Sequence, residues 1–257
     1  MKYIISFVIR YIPRKYLQLV SGFALKVLGV FYSGNNVECP ISGKTYSKFL
    51  PYGRINPREN ALCPSSQSLE RHRLMWLYLK EKTDFFTAKH HLLHIAPENC
   101  FTDIFEKMPN LTYITADLDS PLAKVKMDVH QIPFPDNHFD IVFCNHVMEH
   151  VEDDIKAMSE IFRVLSAGGW AIIQSPVDNS KAITYEDKSI TSASEREKAF
   201  GQADHVRVFG NDYAKRLEKA GFTVVEDRFV MEMPPEKIKR YALPANEIIY
   251  FCKKIVA

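Results

Sequence analysis

The chain is 257 residues long, with 33 Lys and Arg against 31 Asp and Glu, 46% hydrophobic residues and 12% aromatic residues. That length and composition suit one large domain with an appendage, and they exclude disorder, collagen-like repeats and low-complexity architectures. Five widely scattered cysteines (Cys39, Cys63, Cys100, Cys144 and Cys252) argue against a disulfide framework and for a reducing, cytoplasmic setting.

The charge is unevenly spread. Residues 1–37 hold Lys2, Arg10, Arg14, Lys15 and Lys26 and no acid, whereas the body is slightly acidic. A basic stripe of the kind that binds nucleic acid is absent from the body, so no nucleic-acid partner is expected. The charge-free runs Tyr16–Leu25 and Val27–Val37 are too short to span a bilayer, which needs about 20 apolar residues. No small-residue cleavage site follows them, so a signal peptide is not expected. Pro13 divides two expected helices, and after it Leu17, Val20, Ala24, Val27 and Phe31 recur along one helical stripe. Two readings follow for this segment: a basic amphipathic helix in an anionic membrane interface, or a helix packed on its own domain or in a homodimer.

Residues 38–80 read as a small loop-rich module. Cys39-Pro-Ile-Ser42 and Cys63-Pro-Ser-Ser66 each resemble a Cys-x-x-Cys knuckle whose second thiol has become a hydroxyl. A structural zinc needs four good ligands, and two thiolates with His72 fall short, so no metal is expected there. Packing of Tyr46, Phe49, Leu50, Tyr52 and Leu62 is expected instead. Ser68–Leu79 reads as a helix capped by Ser68, with Glu70, Arg71, His72 and Arg73 in its first turn. Such a cluster is usually solvated; beside a pocket, Arg71 would hold an anionic group of a substrate.

From residue 81 onward strands and helices alternate. Strands are expected at His91–Ala96, Leu111–Ala116, Val125–Met127, Phe139–Asn145, Trp170–Ser175, Phe222–Arg228 and Glu247–Lys253. Helices are expected from Pro97 to about Met108, over Asp153–Leu165 with Ala167-Gly168-Gly169 as a stop, and over Tyr213–Ala220 ahead of Gly221. The pattern implies an α/β fold with a doubly wound, mostly parallel seven-stranded sheet and an N-terminal helical and loop-rich extension. Ligands in such sheets lie outside the carboxyl ends of the strands. That places Ala96, Pro97, Glu98, Asp117, Asp128 and Asn145 among the candidates. The polar stretch from Asp178 to His205 reads as a lid insertion.

Three segments carry a resemblance. Asp128–Val151 (DVHQIPFPDNHFDIVFCNHVMEHV), Glu160–Gly169 (EIFRVLSAGG) and Leu217–Phe222 (LEKAGF) occur in the right order on the right elements. The chain resembles the class I S-adenosylmethionine-dependent methyltransferases, specifically their small-molecule type-11 group, over roughly residues 90–255. The resemblance implies a Rossmann-like methyltransferase fold, S-adenosylmethionine as cofactor and a small-molecule methyl acceptor. Asp117 would accept both ribose hydroxyls, with Leu118 beside it. Asp128 and the Val129 N–H would meet the adenine, and Asn145 and His146 would line the methionine portion.

The first motif departs from the family. The usual acidic, glycine-rich loop is replaced by Leu93-His94-Ile-Ala96-Pro97-Glu98, without glycine. His94 stands in the acidic position, and Glu98 is expected to meet the cofactor's ammonium. On the acceptor side, His205 is expected either to remove a proton from the acceptor or to pin the lid. Arg207 would hold an anionic acceptor, and His150 is a rival base with a more structural position. Two further readings stand beside methyl transfer. A catalytically inert methyltransferase-like binding domain fits the altered first motif. A nicotinamide dehydrogenase is poorly supported, because no Gly-x-Gly-x-x-Gly opens the first helix.

Overall fold

The computed structural model describes residues 25, 27–53, 57–120 and 123–255. The helical stripe expected before Leu25, and the basic residues Lys2, Arg10, Arg14, Lys15 and Lys26, lie outside the described residues. Two compact units are present. The first takes the described residues up to 86 together with 99–104 and 228–247; the second takes 87–98, 105–227 and those from 248 onward. This division is discontinuous, and the boundaries expected at 37/38 and 80/81 do not coincide with it.

In the first unit, residues 27–30 are helical, and Val27, Leu28, Val30 and Phe31 are exposed, Phe31 to 82%. Two antiparallel pairs follow: β1 (Val37–Glu38) with β2 (Thr45–Tyr46), and β3 (Leu50–Tyr52) with β4 (Arg58–Leu62). They bring the two expected knuckles together. Cys39 Sγ lies 3.1 Å from Ser66 Oγ and 3.5 Å from Ser68 Oγ, and Ser42 Oγ lies 2.8 Å from Ser65 Oγ. Both thiols are buried. The thiol of Cys63 and the surrounding hydroxyls draw Cys39 down to about 4, while the same contact pushes Cys63 up.

Helix α1 (Glu70–Lys82) begins two residues later than expected. Ser68 is not its cap: its hydroxyl is engaged with Ser66 and Cys39, and His72 Nδ1 accepts the Leu69 N–H at 3.1 Å. The charge cluster is not uniformly solvated either. Arg73 is fully buried, lies 4.5 Å above the Phe49 ring and donates to the carbonyls of Ala61, Ser68, Tyr241 and Ala242. Four acceptors for one guanidinium offset the burial of its charge. The remainder of the unit is most of α2 (Asn99–Phe105), a 3-10 turn at Phe229–Glu232 and a later helix over Pro235–Tyr241.

The second unit holds the large sheet. Its strands are β5 (His90–Ile95), β6 (Leu111–Asp117), β7 (Val125–Lys126), β8 (Phe139–Asn145), β9 (Leu165–Gln174), β12 (Thr223–Asp227) and β13 (Ile249–Lys253). Their spatial order is β12-β13-β9-β8-β5-β6-β7. β13 runs antiparallel to both of its neighbours and the remaining pairs are parallel, which is the mostly parallel seven-stranded sheet expected. The order reverses between β5 and β8, so their carboxyl ends border the crevice. Leu93, Ile95, Val142, Cys144, Ala171 and Ile173 supply the buried centre, joined by Ala157, Met158, Ile161 and Val164 of α3 (Asp154–Val164). α3 is capped by Asp153, whose carboxylate accepts the Lys156 N–H. Such a cap contributes about 1 kcal/mol.

One expectation fails at residues 167–169. These are not a loop after the helix: β9 starts at Leu165, directly after Val164. Gly168 adopts φ +80°, and a Cβ on Gly169 would stand 2.7 Å from the Asp140 carbonyl. The glycines serve an irregular strand pressed against β8, not a stop. The expected lid contains a short ribbon, β10 (Tyr185–Glu186) with β11 (Arg207–Val208), and helix α4 (Ala193–Phe200). Helix α5 (Tyr213–Lys219) ends ahead of Gly221 at φ +108°.

Candidate active site

The carboxyl ends of β5, β6 and β8 carry the expected residues, all within the second unit. Immediately past β5, Ala96 has φ +51°; immediately past β8, His146 has φ +55°. Left-handed backbone at non-glycine residues costs about 1–2 kcal/mol each, and it occurs here at the two strand ends that flank the crevice. Ala96 holds a left-handed turn directly after β5, with its N–H on the Ala116 carbonyl at 2.8 Å.

His94 is fully buried and both of its ring nitrogens are engaged, Nδ1 with Tyr113 Oη at 2.9 Å and Nε2 with Glu98 Oε2 at 2.5 Å. The other Glu98 oxygen accepts from Asn145 Nδ2 at 2.9 Å. This corrects the expectation for Glu98. Its carboxylate is first a brace between β5 and β8, and the amide N–H of Asn145 is committed to that brace.

Asp117, the last residue of β6, accepts the N–H groups of Asp119 and Ser120 through Oδ1, at 2.8 and 2.7 Å. Its Oδ2 has no hydrogen-bond partner among the described residues. Leu118 beside it is 55% exposed, an apolar side chain at the mouth of the strand ends. Asp128 lies two residues beyond β7. The backbone N–H of His130, and then its ring, hold the Asp128 carboxyl below its ordinary range. The Val129 side chain is part of the core, and its N–H donates to no acceptor among the described residues.

This arrangement fits a nucleoside carrying an amino-acid tail. A carboxylate oxygen with spare acceptor capacity follows one strand, an apolar side chain sits next to it, and an acid with a spare backbone donor follows the next strand. Residues 101–173 match the family model described as "Methyltransferase domain". Over those residues the chain is similar to that methyltransferase family, and its sheet has the order of a Rossmann-like methyltransferase fold.

Among similar proteins, an uncharacterized 37.1 kDa protein in transposon TN4556 of Streptomyces fradiae is 30% identical over 105 residues, covering 40% of this chain and 30% of that one. The ubiquinone/menaquinone biosynthesis C-methyltransferase UbiE of Psychromonas ingrahamii is 37% identical over 52 residues, covering 20% of this chain and 21% of that one. The matches thus span less than a third of these relatives' own length. The solved structure of the [4+2]-cyclase SpnF shares the fold over 93% of this chain and 96% of that one, with 16% identity and a TM-score of 0.53.

The residues expected on the acceptor side differ from expectation. Arg207 is 2% exposed at its side chain, and its guanidinium donates to the carbonyls of Met148, Val151 and Glu152 and to the Glu186 carboxylate. Its donors are committed to protein groups, so it clamps the turn after β8 and does not hold an anionic acceptor. Arg71 lies in the first unit on α1, where its Nε is buried without a hydrogen-bond partner among the described residues.

His205 is buried, and its ring packs edge-on against His150 with centroids 4.7 Å apart. Burial, and then the nearby His150, push His205 below its ordinary value, so it stays neutral near pH 7. Sequence reasoning missed Glu149. It is 2% exposed, with Oε2 accepting from Ser175 Oγ at 3.0 Å and Oε1 lying 3.2 Å from His146 Nδ1. Burial is the largest influence and opposes its ionisation, but His146, a backbone N–H and the nearby His150 together hold the carboxyl below its usual range. The signal was legible in Glu149-His150 at the end of the strongest motif, whose neighbouring His146 drew the attention instead.

Proposed function

We propose that the protein transfers a methyl group from S-adenosylmethionine to a small molecule. The observation that carries this reading is Asp117 Oδ2 at the end of β6, without a hydrogen-bond partner among the described residues and beside the exposed Leu118. Asp117 would hold the ribose hydroxyls, Leu118 and the Val129 N–H the adenine, and the Ala96-Pro97 turn with His146 the methionine end. When bound, S-adenosylmethionine supplies an electrophilic methyl on a sulfonium. The chain's own residues must orient the acceptor, exclude water and manage any proton the acceptor sheds. Glu149, His150 and His205 form the polar end suited to that last task, and in this reading His205 acts on the acceptor's proton. The polar acceptor end supports methyl transfer over an inert binding domain.

The reading includes a cytoplasmic location at an anionic membrane surface. Its support is the exposed apolar run at Val27, Leu28, Val30 and Phe31, which follows a stretch of sequence with basic residues and no acid. Deleting residues 1–34 should abolish co-sedimentation with phosphatidylserine vesicles; equal binding without them removes the membrane from the proposal.

The test of the activity is a panel of hydroxyl- and amine-bearing small molecules incubated with methyl-labelled S-adenosylmethionine. Label should appear in product, and His205→Ala should lower transfer at least about tenfold while S-adenosylhomocysteine affinity stays within about twofold. Label in no product, from protein that also fails to bind S-adenosylhomocysteine, contradicts the proposal.

A further inference from the structure

We infer that Glu149, His150 and His205 form a binding site for a divalent transition metal of the zinc class. Each offers one ligand atom, and the three atoms lie within 4.8 Å of one another. One carboxylate and two imidazoles are a donor set matched to zinc, with a fourth, open position. Glu149 and His205 are buried, and the His150 side chain is 34% exposed, which leaves a way in from solvent.

The surroundings are built as an outer shell. Ser175 Oγ donates to Glu149 Oε2, fixing the carboxylate. His150 Nδ1 lies 3.1 Å from the Asp204 carbonyl. A carbonyl accepts only from N–H, so the His150 ring is held in the tautomer whose Nε2 keeps its lone pair. The two halves of the site are stitched together from behind. The Val206 N–H donates to the Glu149 carbonyl at 2.9 Å, and Arg207 grips the carbonyls of Met148, Val151 and Glu152. Arg207, expected to touch the acceptor, is thus a positioning residue for His205. Both imidazoles lie close together beside a buried carboxylate, and a dication is the charge that this set of lone pairs complements.

A metal there assigns the acceptor a chemical class, a step that rests on the methyl-transfer reading although metal binding itself does not. A hydroxyl oxygen entering the fourth position would be acidified, losing its O–H proton to solvent and leaving an alkoxide or phenoxide with the electron pair on oxygen. His205 would then act on the acceptor's proton through the metal.

The test uses full-length, untagged protein stripped with chelator and titrated with zinc chloride by calorimetry. One equivalent should bind and raise the melting temperature. Glu149→Gln and His205→Ala should each weaken binding by more than about a hundredfold, since loss of outer partners alone costs up to that much. Cys39→Ser with Cys63→Ser should leave the stoichiometry unchanged. Each variant is checked for its circular dichroism and for S-adenosylhomocysteine binding, so loss of the fold or of the cofactor site is told apart from loss of the metal. No saturable zinc binding, or full binding by His205→Ala, overturns the inference and leaves His205 a metal-free base. Loss of zinc only in the cysteine variant moves the metal to the Cys39 and Cys63 knuckles and equally overturns it.

Discussion

The Glu98 carboxylate lies 2.5 Å from His94 Nε2, and its other oxygen accepts from Asn145, so an acid outside the usual motif position ties β5 to β8. His94 thus does from the acidic position what a basic ring can do: it orients a carboxylate brought from four residues later. Glu98→Gln keeps the shape but removes the charge that both partners face. We expect it to weaken S-adenosylhomocysteine binding several-fold and to lower stability by about 1–3 kcal/mol. Unchanged urea midpoint and unchanged affinity would show that the brace has no energetic weight.

Arg207 makes the opposite case, a candidate site residue with a structural task. Arg207→Met strands the carbonyls of Met148, Val151 and Glu152 and leaves Glu186 with only Arg216, 3.5 Å away. Removing one side of a buried charged network typically costs about 3–5 kcal/mol. Urea unfolding should show a loss of that order, and Arg207→Lys should recover only part, since an ammonium cannot replace the fork. Full stability with a raised acceptor KM would return Arg207 to substrate binding.

Two groups give the fold an acid-sensitive side. Glu149 is held below its ordinary 4.5, and His205 below its ordinary 6.5 by burial and then by His150. A depressed folded value means that the unfolded chain binds the proton more readily. The stability contributed by His205 is therefore complete above 6.5 and lost as pH falls through its lower folded value. Glu149 adds the same sign at still lower pH. Urea midpoints should fall from about pH 6.5 downward, and His205→Gln should flatten the upper part of that fall. A midpoint that rises on acidification would contradict both assignments.

How legible the molecule was follows the physics of each signal. The strands of the large sheet were legible because fully buried parallel strands read as apolar runs, as in Phe139–Asn145. The residues at their carboxyl ends followed from topology, which located Asp117 and Asn145 without any knowledge of side-chain partners. What failed was partnership. Nothing in the order of residues shows that Arg207 faces three carbonyls after β8, or that Arg73 faces four acceptors drawn from distant segments. The first read as a charge for a ligand and the second as part of a usually solvated cluster. The same blindness hid Glu149, whose role depends on Ser175 just past β9 and His205 from the far end of the lid. The glycine pair at Gly168-Gly169 misled for a local reason: Gly168 supplies a left-handed backbone and Gly169 a tight approach to the Asp140 carbonyl within the strand, uses the sequence does not distinguish from a helix stop.

The central claim is that the strand ends hold S-adenosylmethionine through Asp117, and titration calorimetry with S-adenosylhomocysteine tests it most directly. The account predicts one site of micromolar affinity in the wild type, weakened roughly 30- to 150-fold in Asp117→Ala, because about 2–3 kcal/mol of hydrogen bonding to a carboxylate is lost. Equal affinity in the two proteins, or no binding by the wild type, would contradict it.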